Sequence, residues 1–155
     1  MEILEQIAYY KAQEEELQFD FFNDDTAWEI GNIIVKRAKA ENLDILTDIS
    51  LAGRTLFSFS ANSATGYNAH WINRKKNSVM LQQMSSMRFG LQLKRDGKFD
   101  AISRYLAPDQ YAVCGGGFPI IIKNTGVVGC IAVSGLADTD DHEVIVSAIR
   151  EYLAK

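Results

Sequence analysis

Three consecutive glycines, Gly115, Gly116 and Gly117, stand before Phe118 and Pro119 in the last third of the chain. Backbone without side chains can approach a ligand closely, and its amide N–H groups can be offered to an anion. The run is not a P-loop, because no Gly-Lys-Ser or Gly-Lys-Thr follows it and a strand, rather than a helix, is predicted next. The pattern indicates either a loop that holds a ligand beside Phe118 or a tight connection into a central strand.

The chain contains two histidines, His70 beside Trp71 and His142 within an acidic run that includes Asp140 and Glu143. A haem iron takes an axial donor such as imidazole, so both are candidate ligands, with a surface or interface histidine as the alternative for each. Neighbouring carboxylates favour the protonated form of His142, which is a poorer ligand. We therefore place His70 in the candidate ligand-binding site and keep His142, with His70, as a candidate metal ligand.

The region after His70 is rich in basic residues, which are Arg74, Lys75, Lys76, Arg88, Lys94 and Arg95. On one continuous helix, Arg74, Arg88 and Arg95 recur at multiples of seven residues and drift only modestly around the axis. Such a stripe could hold the carboxylates of a ligand, including haem propionates, or an acidic partner surface. The alternative is a solvated helix face. Arg74 joins the candidate ligand-binding residues on this basis.

The two cysteines, Cys114 and Cys130, lie 16 positions apart and do not form a metal-binding pair. They are interpreted as reduced thiols of a cytosolic protein. Cys130 lies in an apolar strand and is predicted to be core, whereas Cys114 borders the glycine run and could be exposed. A nucleophilic cysteine needs a base within hydrogen-bond reach, and no histidine is paired with Cys114 in the sequence. No catalytic residue is identified, and whether the protein is an enzyme is left open.

The elements that must position these residues begin with two helices. Residues 4–17 are rich in helix formers, and a second helix should begin near residues 23–26, where Thr26 and Glu29 have the spacing of a capping box. Alternation over residues 45–51 and 55–59, around Ala52 and Gly53, predicts a hairpin. Asp48 within this hairpin would need a partner if it is buried.

Helix is predicted over about residues 69–95, either as one long helix or as two with a bend, and a short helix over residues 101–106. A second hairpin follows, with strands at residues 118–123 and 127–134. Its second strand is apolar on both faces and is predicted to lie centrally in the sheet. Asp140 and Glu143 are predicted to cap the last helix. Two hairpins joined by helices indicate an α+β fold with a mainly antiparallel sheet, not a Rossmann-type fold.

Composition restricts the classes of function. With 155 residues, of which 47% are hydrophobic and 23% charged, residues 1–155 are predicted to form a single domain. A formal net charge of −4 disfavours nucleic-acid binding through a general basic surface. The first residues do not resemble a secretory signal, and no apolar stretch approaches the roughly 20 residues of a membrane span. The expected location is the cytoplasm, without a membrane partner.

Two stretches of the chain resemble the haem-degrading-like family. Residues 115–120 are similar to its Gly-Gly-x-Pro-Ile strand, and residues 126–136 to its Gly-x-Val-Gly-x-Ile-x-Val-Ser-Gly strand, before an acidic start to the last helix. Residues 14–19, 25–29 and 71–77 resemble an intracellular branch of that family. Better-known members tend to have Gln or Glu where His142 stands, so no family ligand carries over to that position.

The resemblance implies a profilin-like α-β-α domain, with an antiparallel sheet of about five strands flanked by helices. It also implies a homo-oligomer, either a dimer or a larger ring, and haem as a cofactor to consider. Three hypotheses about function follow. The first is a small-ligand-binding or haem-handling protein, which includes haem degradation. The second is a non-catalytic oligomeric scaffold or adaptor for protein partners, and the third is a cysteine-dependent enzyme that uses Cys114.

Overall fold

The computed structural model describes residues 1–155 and contains five α-helices and four β-strands. The helices are α1 (Ile3–Glu16), α2 (Asp24–Glu41), α3 (Gly66–Gln82), α4 (Ser86–Arg95) and α5 (Asp138–Leu153). The strands are β1 (Leu46–Leu51), β2 (Arg54–Ser60), β3 (Gly117–Ile122) and β4 (Gly126–Ser134). A short 3₁₀ helix occupies Ala101–Arg104.

The four strands form one antiparallel sheet in the order β2-β1-β4-β3. Helices α2 and α5 pack on one face and α3 packs on the other, while α1 packs mainly on α4. This arrangement confirms the predicted α+β fold with helices on both faces of the sheet. The sheet has four strands rather than about five, because the segment after α1 forms only an isolated parallel bridge between Phe19 and Ile122.

Strand β4 lies centrally and is covered on both faces, as its apolar sequence predicts. Ile131 and Val133 face the main core beneath α2 and α5, whereas Cys130 and Ala132 face the smaller core beneath α3. All four side chains are fully buried. The predicted core position of Cys130 is therefore confirmed, and the strand that follows the glycine run pairs directly with the centre of the sheet.

The caps of two helices differ from the predicted ones. Asn23 caps α2 and forms a capping box with Thr26, because the helix begins one turn earlier than the predicted pair of Thr26 and Glu29 requires. Helix α5 begins after Ala137, which makes no side-chain cap, so Asp140 already lies in the first turn. Acidic side chains there are favoured by the partial positive charge of the helix N-terminus.

The region predicted as helical over residues 69–95 consists of two helices. Gln83 adopts a left-handed conformation with φ 60°, and Ser85 then caps α4 by accepting from the Arg88 amide. The break separates Arg74 from Arg88, so the predicted basic stripe on a continuous helix is not formed. Arg88 instead makes two hydrogen bonds to Glu14 of α1, at 2.9 and 2.8 Å.

None of the helices combines the length and the apolar character that crossing a bilayer requires.

Candidate functional site

A pocket of about 280 Å³ opens between α3 and the turn that connects β4 to α5. Helix α3 supplies Tyr67, Asn68, Trp71 and Lys75 to one wall. Tyr67, Trp71 and Lys75 are spaced by four residues, which places them on one side of the helix. The opposite wall comprises Cys114, the end of β4 with its turn, and two carboxylates of α5, Asp138 and Asp141.

The floor of the pocket is a buried ion pair between Lys75 and Asp141. The Lys75 ammonium donates to the Asp141 carboxylate at 3.0 Å and to the Val133 carbonyl at 2.8 Å, and both charged side chains are 3% exposed. The second Asp141 oxygen accepts from the Leu136 amide at 3.0 Å. Burial raises the pKa of Asp141 to about 6, against the opposing charge and hydrogen bond of Lys75.

The glycine run supports this ion pair from below. Gly115, Gly116 and Gly117 are buried, and a Cβ on Gly116 would lie 2.4 Å from the Lys75 ammonium and 2.5 Å from the Val133 carbonyl oxygen. Gly116 also has φ 121°, a conformation that favours glycine. The position of the glycine run favours its interpretation as a tight connection into β3. Lys75 occupies the space that a side chain at Gly116 would need.

Two amides of the glycine run already have acceptors within the protein. The Gly115 amide donates to Asp138 at 3.2 Å, and the Gly117 amide donates to the Ser86 hydroxyl at 2.9 Å. Phe118 is fully buried in the main core. The glycine run therefore does not line the pocket. It contacts two residues that do, Lys75 and Asp138.

His142 is buried rather than at a surface, and its ring packs against aromatic side chains instead of lying beside solvated carboxylates. It is 2% exposed, with Nε2 2.6 Å from the Gln13 side-chain oxygen, and its ring makes edge contacts with Tyr10 and Phe118. Its Nδ1 has no hydrogen-bond partner. Burial lowers the pKa of His142 to about 4, although the charge of Asp138 acts in the other direction. The expectation of a protonated imidazole is therefore wrong, because desolvation outweighs the nearby carboxylates.

His70 and Arg74 lie on α3 but do not line the pocket. His70 is exposed. The Arg74 guanidinium lies 3.8 Å from the centroid of the Trp71 ring and donates to the Pro108 carbonyl at 2.7 Å. Arg74 thus holds one wall of the pocket in place by covering Trp71, while its buried Nε has no hydrogen-bond partner.

Lys75, Asp141 and Trp71 were not among the residues that the sequence placed in a ligand site. The sequence places Lys75 in a basic cluster, although Ile72, Lys75 and Val79 follow the spacing of a buried helix face, and all three are buried. A charged residue within an apolar helix face is the feature of the sequence that indicates a buried, paired Lys75. Asp141 gave no comparable signal, because its partner lies 66 residues away in sequence.

Cys114 is the thiol that reaches the pocket. It is partly exposed, and burial raises its pKa despite the opposing charges of Lys75 and Arg74. A raised pKa keeps Cys114 in the thiol form at neutral pH and argues against a nucleophilic role.

We expect Cys114 to be the only cysteine that a disulfide reagent such as DTNB labels in the folded protein. Labelling should accelerate as pH rises and thiolate forms. Cys130 is fully buried with its pKa raised to about 12, so it should react only after denaturation. Absorbance of the released thiolate measures both rates, and Cys114→Ser is the control that should abolish native labelling. Two equally reactive thiols in the folded protein would contradict the placement of Cys130.

No group of three or more His, Cys, Asp or Glu side chains is arranged to hold a metal ion.

Comparison with known proteins shows relatives along almost the whole chain. The family model described as haem degrading protein HbpS-like matches residues 22–150. A UPF0303 protein of Pseudomonas entomophila is 43% identical over 99% of this chain and 85% of its own length. A UPF0303 protein of Rhizobium etli is 40% identical over 92% of this chain and 87% of its own.

Solved structures share the fold at lower identity. The crystal structure of Ybr137w protein has a TM-score of 0.87 and 23% identity, covering 96% of this chain and 87% of its own. A double mutant of HbpS from Streptomyces reticuli has a TM-score of 0.67 and 17% identity, covering 88% and 89%. A PduOC:Heme complex has a TM-score of 0.68 and 15% identity, covering 84% and 92%. At these identities the likeness establishes the fold and not the ligand.

Proposed function

The chain belongs to the HbpS-like family of haem degrading proteins, and we propose from that premise that it binds a small organic ligand. The ligand occupies the pocket between α3 and the β4–α5 turn. The observation that carries the proposal is the buried Lys75–Asp141 pair at the pocket floor, where two charges 3.0 Å apart border a cavity. Polar groups at the base of a partly apolar pocket are the usual means of orienting a small ligand.

The pocket offers a ligand both hydrogen bonds and aromatic surface. An ammonium group has three N–H donors, and Lys75 uses two of them within the protein, which leaves one. Tyr67 is 68% exposed at the mouth, with its ring 6.3 Å from that of Trp71. These groups suit a small ring that hydrogen-bonds at one edge and packs against aromatic side chains on another.

The charges around the pocket balance. Asp138 and Asp141 line it, while Lys75 lines it and Arg74 lies behind Trp71. Two carboxylates facing two cations give no net attraction for a polyanion. A neutral or zwitterionic ligand is therefore favoured over one with several carboxylates or phosphates.

Haem, the ligand that the family description implies, does not fit as an enclosed group. The pocket volume of about 280 Å³ lies at the lower end of the roughly 300–1,000 Å³ of ordinary small-molecule sites, which leaves room for one small ring but not for the four-ring macrocycle of haem. Cys114 is a thiol with a raised pKa, whereas iron takes a thiolate. His142 is buried against Gln13. The imidazole of His70 is exposed, so it can reach a haem iron from outside the fold.

Protection of Cys114 from DTNB tests the pocket. The probes are haemin and a set of neutral heteroaromatic amides of the nicotinamide type. We expect members of the second set to slow Cys114 labelling several-fold in the wild type but not in Trp71→Leu. Trp28→Leu, at an exposed tryptophan outside this pocket, is the matched control. Equal labelling with and without every amide would overturn the assignment of the ligand class.

Haemin titration by absorbance separates surface binding from pocket binding. Ligation by His70 should give a spectrum that changes in His70→Ala while Cys114 labelling stays unaffected. A haemin complex that protects Cys114 and persists in His70→Ala would instead assign haem to the pocket and contradict the size argument.

An oligomeric scaffold is the alternative function, and the exposed aromatic side chains favour it. Trp28 of α2 is 64% exposed, and Phe21, just before the helix, is 62% exposed. A pocket that binds no small ligand, in a protein that associates with copies of itself, would favour the scaffold.

A further inference from the structure

The segment that follows α4 carries three large apolar side chains that project into solvent. Phe99 is 95% exposed, Ile102 is 60% exposed and Tyr105 is 99% exposed, and we call these three residues the apolar tip. Single exposed apolar residues are common on protein surfaces, whereas a cluster of large ones along a short segment marks an interaction surface.

The conformation of Tyr105 indicates that the fold does not benefit from this side chain. Tyr105 ends the 3₁₀ helix in a left-handed conformation with φ 60°. That conformation is unfavourable for a bulky residue, and glycine or asparagine adopts it more readily. Because the ring is almost wholly in water, contacts within the chain do not offset the strain. A contact outside the chain would account for an aromatic residue at this position.

The backbone beneath the apolar tip is fixed by the fold. Ala101 is fully buried in a cluster with Phe89 and Leu93 of α4. Asp100 caps the 3₁₀ helix by accepting from the Ile102 amide at 2.9 Å. The apolar tip is therefore presented from an anchored segment, so that little conformational entropy is lost when its side chains are covered.

Basic side chains flank the apolar tip along the chain. Residues 94–105 include four basic and two acidic side chains, a net charge of +2 in a chain whose net charge is −4. Lys94 and Lys98 are exposed and form no ion pair within the chain. Asp96 is shared by the two arginines of the segment, at 3.1 and 3.9 Å. The segment is therefore a positive region on a protein that is otherwise acidic.

The shape of this surface distinguishes between kinds of partner. The apolar tip protrudes, and none of its residues lines the pocket beside Lys75, the groove between α2 and α5 or the hollow beside Phe19. A protein partner would have to supply a matching cavity for two protruding aromatic rings. The surface of a bilayer needs no such cavity, because apolar side chains enter the lipid boundary while neighbouring lysines contact anionic headgroups.

We propose that the segment of residues 94–105 binds the surface of a bilayer that contains anionic lipids. The apolar tip enters the boundary between headgroups and acyl chains, and Lys94 and Lys98 contact the headgroups. The remainder of the chain has a net negative charge and is repelled by the same surface, which turns this segment toward it. The small-ligand pocket shares no residue with the segment, so the two binding properties are separate.

The expectation of no membrane partner rested on the absence of an apolar run long enough to span a bilayer. Contact at the surface of a bilayer needs no such run, because only a few side chains leave water. The proposed contact is reversible, since three apolar side chains and a few cations bind far more weakly than a membrane span.

Co-sedimentation of the full chain with lipid vesicles tests the proposal. The probes are vesicles of phosphatidylcholine alone and vesicles of phosphatidylcholine mixed with phosphatidylserine. We expect the wild type to pellet with the mixed vesicles several-fold more than with the neutral ones. Phe99→Ser combined with Tyr105→Ser should reduce this binding several-fold. Lys94→Glu combined with Lys98→Glu should remove the preference for the mixed vesicles, because it reverses the charges that meet the headgroups.

Each pair of substitutions has a matched control. Tyr9→Ser changes an aromatic residue of α1 that is 49% exposed. Lys11→Glu combined with Lys155→Glu makes the same change in net charge at two exposed lysines outside the segment. Both controls should bind the mixed vesicles nearly as well as the wild type. Circular dichroism and Cys114 labelling of every variant separate lost membrane contact from lost folding.

Fluorescence of Phe99→Trp distinguishes insertion from adsorption. On mixed vesicles its emission should shift to shorter wavelength relative to that of the wild type, which contains Trp28 and Trp71, and lipids brominated in the acyl chain should quench it. A wild type that does not pellet with mixed vesicles, or that pellets equally well without its apolar tip, would overturn the proposal. An unshifted and unquenched spectrum would do the same and would favour a protein partner with a matching cavity.

Discussion

Replacing Lys75 by methionine is expected to lower the free energy of unfolding by about 3–5 kcal/mol. The substitution keeps the length of the side chain but removes the ammonium that lies 3.0 Å from Asp141. Both side chains are 3% exposed, so the Asp141 carboxylate would remain buried without its counter-charge. Urea denaturation of the wild type and the variant, followed by circular dichroism, measures the difference.

Two further variants show whether the loss comes from the unpaired charge. Lys123→Met removes a lysine whose partner Asp20 lies at 3.0 Å in a pair with side chains 55% and 78% exposed, and should cost only about 1 kcal/mol or less. Lys75→Met combined with Asp141→Asn removes both charges while the amide oxygen can still accept from Leu136. This double variant should recover much of the stability. Equal losses for Lys75→Met and Lys123→Met would contradict a buried ion pair.

The contribution of His142 to stability should fall by about 3 kcal/mol as pH falls from 6.5 to 4. Burial lowers its pKa from 6.5 to about 4, so the unfolded chain binds a proton in this range before the folded protein does. Protons therefore favour unfolding. The stabilising effect of the neutral imidazole is complete above pH 6.5 and is lost as pH approaches 4.

Asp141 acts in the opposite direction over part of the same range. Its pKa is raised to about 6, so the folded protein binds a proton first and the stability from this group is lost as pH rises through 6. The pH profile of the wild type is therefore flattened by two opposing groups. The difference between the wild type and His142→Gln isolates the histidine, because glutamine can contact Gln13 but does not titrate.

The measurement is chemical denaturation of both proteins at a series of pH values between 4 and 7. We expect the wild type to lose stability relative to His142→Gln as pH falls. A constant difference across the series would mean that the imidazole titrates near its ordinary pKa and is not desolvated as described. Nuclear magnetic resonance of the His142 ring protons follows the titration of this side chain directly.

The elements that the sequence predicted well are those whose pattern is local. The second helix, predicted to begin near residues 23–26, is present as α2, and its apolar residues Ala27, Ile30, Ile34 and Ala38 are all buried. The left-handed Ala52 and Gly53 connect β1 to β2 as expected. The sequence does not decide between one helix and two over residues 69–95, because nothing in it signals the left-handed conformation of Gln83 that ends α3.

The α+β fold, the central position of β4 and the buried Cys130 were thus determined by the sequence alone, since periodicity and composition record which faces must leave water. The family was determined by the resemblance of residues 115–120 and 126–136 to its two strand motifs. The tertiary structure alone decided the site. It joined Lys75 to Asp141 across 66 residues and placed Gly116 beneath them. It also buried His142 against α1, which reversed the protonation expected from its neighbours in sequence. The pKa of a side chain depends on desolvation and on charges close in space, and neither is encoded in the residues adjacent to it along the chain.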